Sequence, residues 1–437
     1  MQRELCPVEG LYVAQRSRAV VSCALDGPVD TAALAAAFDN VTAERPTLLT
    51  RIVPAGTGYA LALLPEGERP RLRARTGGDE EYAEELNDPL PVGGPLARAT
   101  LVSAPGGERH LFVLVVDHVI TDGHSAIALL NAVWDRYREC ADPAGAGRPA
   151  AGLPAPEAAT SLPAPVSTLL PPADPADVTR YLERRIEETG SPVELLAYDV
   201  PATGDTTGEQ QRIEIQRLLL DAGQTGRLRR SARTAGLSVH GLVGAAVLIA
   251  ARRRLDGTGP RVLRCMSPVD LRSRLTPALS PDVMVAAVTA HVRAVEVAGD
   301  SDPVALARQV GQGVRDFLDR GEHFHEMRIM PDVPRHPTLQ LGTVIVTNMG
   351  VVPGPRLPDG LRMTDVRLVP AREHYFPQAG RSPLMACVVS FDGRLAVEFP
   401  HHTACFSPAF MAELRDEVRV TLLSLADEER PVPVPTA

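Results

Sequence analysis

Residues 111–116 form an apolar run of six bounded by charge, the pattern of a buried strand. From Ser125 the period changes: Ile127, Leu130, Trp134 and Tyr137 recur at helical spacing, with Ser125 placed as the N-cap. Residues 117–124 are therefore predicted to be a strand-to-helix turn. Upstream, Val29-Asp30-Thr31 opens a helix through Leu34 and Phe38. Farther along, Ser238 caps an apolar helix over residues 239–251, and residues 261–266 read as a strand running into Ser267-Pro268. Residues 288–297 alternate as a half-exposed strand does, 344–346 read as a buried strand, and 408–425 as a closing helix. Residues 113–118 and 344–349 echo each other, which hints at two related halves.

Between 142 and 177 the periodicity is lost and the chain fills with Pro and Ala, so that neither helix nor interior strand is expected. The chain divides accordingly into an N-terminal lobe, 1–141, a linker, 142–177, and a C-terminal lobe, 178–437. At 437 residues, two α/β lobes with full cores are the natural division.

Composition narrows the chemistry. No apolar run approaches the ~18 residues of a membrane span, and the first residues lack the apolar stretch of a secretory signal, so a soluble cytoplasmic protein is expected. A net charge of −9 argues against nucleic acid as the main partner. All 45 basic residues are arginine. Without lysine there is no P-loop and no pyridoxal-phosphate Schiff base. The six cysteines, Cys6, Cys23, Cys140, Cys265, Cys387 and Cys405, form no C-x-x-C pair and read as reduced and mostly structural.

The most informative segment is Asp117-His118-Val119-Ile120-Thr121-Asp122-Gly123, where a buried strand delivers a histidine to its end and an aspartate follows in the turn. An imidazole with an ordinary pKa near ~6.5 is free at neutral pH to take a proton from a hydroxyl. By spacing alone, a His–Asp pair that merely satisfies itself in a turn is the better reading.

The segment resembles the H-H-x-x-x-D-G motif of the chloramphenicol acetyltransferase-like superfamily, which includes condensation domains and the polyketide-associated acyltransferases of mycobacteria. It looks nearest to the last group, the phthiocerol dimycocerosyl transferase-like enzymes. Four other stretches fit: Leu48-Leu49-Thr50-Arg51, Pro95-Leu96-Ala97-Arg98-Ala99, Ser238-Val239-His240-Gly241 and Pro268-Val269-Asp270-Leu271-Arg272. The resemblance implies two similar α/β lobes, each a mixed sheet with helices, and an active-site channel between them. It implies that His118 is the catalytic general base and that Asp122 shapes the site through an ion pair with an arginine of the other lobe, for which Arg272 is the candidate. Gly123 completes the motif. Asp117 stands where the family has its first histidine. Two placements are open for it: a structural one, or one facing the site, where it would raise the pKa of His118.

The implied reaction is direct acyl transfer in one ternary complex, with no bound cofactor. The donor is an acyl thioester carried on coenzyme A or on the phosphopantetheine of a carrier protein, and the acceptor is the hydroxyl of a polyketide, lipid or other secondary metabolite. The turn backbone near Gly123 and the Asn348 side chain are candidates for oxyanion contacts, with a plain strand-end role open for Asn348. A monomer is expected. Two alternatives remain, an amide-forming condensation enzyme of the same fold and a non-catalytic member that binds a carrier protein or metabolite.

Other patterns carry less. His401-His402, the pair His323 and His325, and His118 with Asp122 and His124 lack the ligand set of a metal site, so no metal is expected. Gly236-Leu237-Ser238-Val239-His240 has a histidine where a nucleophile elbow needs glycine, which leaves Ser238 as a helix cap. Gly145 and Gly147 lie in the linker with no strand before them. Arg229-Arg230 and Arg252-Arg253-Arg254 are either solvated helix faces or contacts for a coenzyme A phosphate.

Overall fold

The computed structural model describes residues 2–65, 67–141, 161–200, 212–373 and 380–427. Its chain forms two units that are not contiguous halves. One comprises Met1–Pro171, Arg272–Ala287 and Val351–Tyr375, the other Pro172–Leu271, Val288–Gly350 and Phe376–Ala437. The two returning segments, Arg272–Ala287 and Val351–Tyr375, interrupt the single lobe expected over 178–437.

The first unit is built on a five-stranded mixed sheet. Its strands are β2 (Ser17–Asp26), β5 (Leu72–Thr76), β6 (Ala97–Ser103), β7 (Arg109–Asp117) and β13 (Arg362–Arg372), in the order β13-β2-β7-β6-β5. Only β5 and β6 run parallel. β7 lies in the middle, with Val116 opposite Ala19 of β2 and Ala97 of β6. That position explains its unbroken apolar run, since Val113, Leu114, Val115 and Val116 are all fully buried.

Helices α2 (Thr31–Ala43) and α4 (Gly123–Ala141) pack together and on the sheet. Phe112 of β7 meets Trp134 of α4 edge-on, and Trp134 meets Tyr137 likewise, both at 5.3 Å between centroids. The Asp30 carboxylate caps α2 by accepting from the amides of Ala32 and Ala33, and the Asp30 amide donates to the Tyr137 hydroxyl at 3.0 Å. A smaller antiparallel sheet joins β1 (Gln2–Glu4), β4 (Gly58–Leu63) and β3 (Thr50–Ala55), and α1 (Pro7–Gln15) and α3 (Asp79–Asn87) complete this unit. Gly27 is required at its turn: φ is +112° and a Cβ there would lie 2.0 Å from the Gly360 carbonyl oxygen.

The second unit has a six-stranded mixed sheet in the order β11-β10-β12-β15-β16-β9. The strands are β9 (Ile213–Leu220), β10 (Arg261–Asp270), β11 (Val288–Val297), β12 (Val344–Val351), β15 (Leu384–Phe391) and β16 (Arg394–His402). The pair β8 (Leu196–Ala197) and β14 (Arg381–Ser382) stands apart. The helices are α5 (Pro175–Thr189), α6 (Ala222–Thr234), α7 (Val239–Arg252), α8 (Pro303–Asp319), α9 (Glu322–Arg328) and α10 (Pro408–Asp427). Every residue of α7 from Gly241 to Arg252 is buried, as an all-round apolar helix must be. Gly241 lets it approach α8, since a Cβ there would sit 2.5 Å from the Ala307 carbonyl oxygen. Like β7, β12 is an interior strand of its sheet, although it runs parallel to β10 where both neighbours of β7 are antiparallel.

Several local expectations need correction. Helix α4 starts at Gly123, two residues before the expected cap. The Asp122 carboxylate accepts from the Ser125 amide at 2.9 Å, and the Ser125 hydroxyl accepts from the Asp122 amide at 3.0 Å, so Asp122 is the cap and Ser125 its reciprocal partner. In the expected linker, residues 142–160 lie outside the described residues. Val166–Leu169 makes a 3-10 turn, and α5 begins at Pro175, where proline suits the first helical position behind an Asp174 cap. The six cysteines are free thiols, five of them buried. Among the described residues, no single helix is long and apolar enough to cross a membrane.

Candidate active site

The motif turn takes its shape from α4. Asp122 caps the helix with one carboxylate oxygen and serves Arg272 with both: Nε donates to Oδ2 at 3.0 Å and to Oδ1 at 3.3 Å, and Nη2 lies 2.9 Å from Oδ2. The Ala287 amide adds a further donor at 2.9 Å. The guanidinium is equally occupied, donating to the carbonyls of Ser280 at 2.7 Å and Val285 at 2.8 Å. Asp122 and Arg272 are 3% and 2% exposed. Every strong polar atom of this desolvated pair therefore has a partner, the condition under which a buried ion pair is tolerated. The pair was expected to join two lobes. Both residues instead belong to the first unit, because Arg272–Ala287 returns to it.

His118 follows β7 directly and its amide donates to the Ser17 carbonyl at 2.9 Å. Its ring stacks on Tyr12 of α1, with centroids 4.1 Å apart and planes 9° from parallel. Nδ1 is buried with no hydrogen-bond partner among the described residues. Burial, and then the positive charge of Arg372 at the end of β13, push the ring's pKa from 6.5 down to about 4. The carbonyls of His118 and Thr121 and the charge of Asp122 oppose this only weakly. The imidazole is thus neutral at pH 7. The Tyr12 phenol is pushed up to about 12, chiefly by burial, and is also neutral.

Asp117 is not among the main charges that shift the His118 ring. Its Oδ1 accepts from the Val119 amide at 2.9 Å and so holds the turn, and across the β2–β7 ladder it stands opposite Arg18. Burial pushes its carboxyl up to about 7 against the pull of the Val119 amide, Arg18 and Arg16. Gly123 is the first residue of α4, and its N–H belongs to the helix-start donors that no intrahelical carbonyl takes. Asn348 lies on β12 in the second unit, where its side-chain oxygen accepts from the Gly350 amide at 2.8 Å and closes a local turn.

Other candidates resolve into structure. Ser238 accepts from the Gly241 amide and caps α7. Arg252 is neither a solvated face nor an anion contact: it is 2% exposed and its guanidinium donates to the carbonyls of Leu255, Gly257 and Gly259 beyond the end of α7. Sequence reasoning missed Tyr12 and Arg372. For Tyr12 a signal existed in Pro7 at the first helical position and Glu9 two residues on, whose carboxylate accepts from the Cys6 amide at 2.7 Å. Arg372 had none, since nothing local marks a strand-end arginine as the neighbour of a histidine 254 positions earlier.

The fold is the one that condensation domains and polyketide-associated acyltransferases share, and the transferase relatives that follow mark the chain as an acyltransferase. Residues 209–400 match the family described as phthiocerol/phthiodiolone dimycocerosyl transferase C-terminus. The phthiocerol/phthiodiolone dimycocerosyl transferase of Mycobacterium tuberculosis is 26% identical over 425 residues, covering 92% of this chain and 92% of its own. Among solved structures, polyketide synthase associated protein 5 from Mycobacterium tuberculosis superposes with a TM-score of 0.72 at 20% identity, covering 97% of this chain and 98% of that one. The first condensation domain of the CDA synthetase gives 0.70 at 18% identity, covering 99% and 98%.

Proposed function

We propose that this protein esterifies a lipid or polyketide alcohol, moving an acyl group from a thioester to the hydroxyl with His118 as general base. The supporting observation is a neutral imidazole at the end of the central strand, its Nδ1 shut into the protein and its plane held by Tyr12. In this reading the ring's proton sits on Nδ1, and Nε2 is the nitrogen a substrate reaches. Nε2 takes the acceptor's proton as its oxygen attacks the thioester carbonyl. The tetrahedral intermediate then collapses, the C–S bond breaks, and the imidazolium returns the proton to the departing thiolate. A ring with so low a pKa is a modest base, but it is fully deprotonated at pH 7 and surrenders its proton readily to sulfur. The donor thioester is carried on coenzyme A or a carrier protein, and no resident cofactor takes part. The helix-start amides at Gly123 serve in this reading as backbone donors for the oxyanion.

Thiol release from a panel of acyl-coenzyme A thioesters tests the reading: long-chain alcohols should accelerate release, whereas equal or better acceleration by amines would favour a condensation enzyme, and no release with any acceptor would favour a binding role. The pH dependence is a second test. Because the ring must be neutral to act, activity is present above its folded pKa and lost below it, so the acid limb of kcat/KM should fall near pH 4. Arg372→Gln removes a charge that depresses this value and should move the limb upward. A wild-type limb at ~6.5 would mean a fully hydrated ring. The same shift costs the folded state stability as pH drops from 6.5 toward 4, because the unfolded chain takes up the proton first.

A further inference from the structure

Beside the motif turn the first unit contains a cavity of about 420 Å³ that the acyl-transfer reading does not use. Val13, Ile52, Pro54, Leu90 and Leu96 give it an apolar wall. Two of its lining residues, Val92 and Tyr59, are apolar yet 84% and 44% exposed, as at the mouth of a site that admits an apolar ligand. Asp117 lines this cavity and His118 does not.

The polar end is built from four charged groups. Arg16 and Arg18 both pair with Glu373, at 3.0 and 3.2 Å, and their second nitrogens donate to the carbonyls of Leu90 and Leu86. Arg16 is held there in a left-handed conformation, φ 46°, that a non-glycine residue seldom adopts. Asp117 is the remaining group. Its Oδ1 is bound to the Val119 amide, and its Oδ2 has no partner among the described residues.

This arrangement selects among headgroups. Arg16 and Arg18 carry two positive charges that Glu373 and an ionised Asp117 together balance, so a carboxylate or an ammonium would each bring a charge that the site does not compensate. A neutral hydroxyl avoids both penalties and can donate to the open carboxylate oxygen. We propose that this cavity is a second binding site, which takes the chain of a medium-length aliphatic alcohol with its hydroxyl on Asp117 Oδ2. Binding there requires neither His118 nor a thioester, so it stands or falls apart from the acyl-transfer reading.

Calorimetric titration with 1-octanol tests it, with octanoate and octylammonium as comparison ligands. Wild type and His118→Ala should each show one saturable octanol site of equal affinity, and both charged ligands should bind at least about tenfold more weakly. Ala14→Trp, at an exposed cavity-lining position, should abolish the binding, and Asp117→Asn should weaken it about tenfold. No saturable octanol binding by wild type overturns the proposal, as does undiminished binding by Ala14→Trp. Loss of binding in His118→Ala would assign the octanol to the proposed acceptor site instead, and octanoate binding as tightly as octanol would overturn the hydroxyl assignment.

Discussion

Replacing His118 by alanine is expected to lower kcat for acyl transfer by about 10²–10⁴-fold, the range of a lost general base, which corresponds to about 2.7–5.5 kcal/mol of transition-state stabilisation. The fall should appear in kcat and kcat/KM alike, because proton removal is needed only as the acceptor attacks. The fold should survive. The ring is half-buried, makes no side-chain hydrogen bond that the structure records, and contributes mainly its stack on Tyr12. Steady-state thiol release measured beside thermal unfolding separates the two effects. Turnover within about threefold of wild type would remove His118 as the base.

Arg272→Ala is expected to act on stability first, with a loss of about 3–5 kcal/mol, because it leaves the Asp122 carboxylate desolvated and uncompensated. It also strips donors from the Ser280 and Val285 carbonyls. Trp134, the sole tryptophan, is buried in the first unit, so its fluorescence during urea unfolding follows the unit that holds the pair. The double variant Asp122→Leu/Arg272→Met should recover part of the loss, since removing both charges also removes the desolvation problem. A single-variant cost below about 1 kcal/mol would show that the pair is hydrated and that the turn stands on its capping interactions alone.

These two experiments bear on different parts of one turn, and that turn shows how far local sequence reaches. The apolar run before Asp117 and the helical spacing after Ser125 marked the end of β7 and the path of α4, because periodicity records which faces a segment buries. It placed the cap of α4 at Ser125, whereas the structure puts it at Asp122. Both are good caps, and the choice fell to Asp122, whose carboxylate can bond the helix start and Arg272 together.

The triple arginine at the end of α7 is a similar case. Charge runs are usually solvated, and only the loop that folds back from residues 255–259 makes Arg252 a buried donor to three carbonyls.

What the sequence determined by itself was the alternation of strands and helices and the placement of a histidine at the end of a buried strand, both from local hydrophobic period, while the pairing of Asp122 with Arg272 was implied by the family resemblance. Tertiary structure decided the rest: that Arg272 returns to the unit that carries Asp122, that Tyr12 and Arg372 keep the imidazole neutral, and that Asp117 turns to a cavity shared with Arg16, Arg18 and Glu373. Desolvation and charge act through space. Their sources here lie about 100 residues or more from the groups they perturb, where no period or spacing along the chain records them.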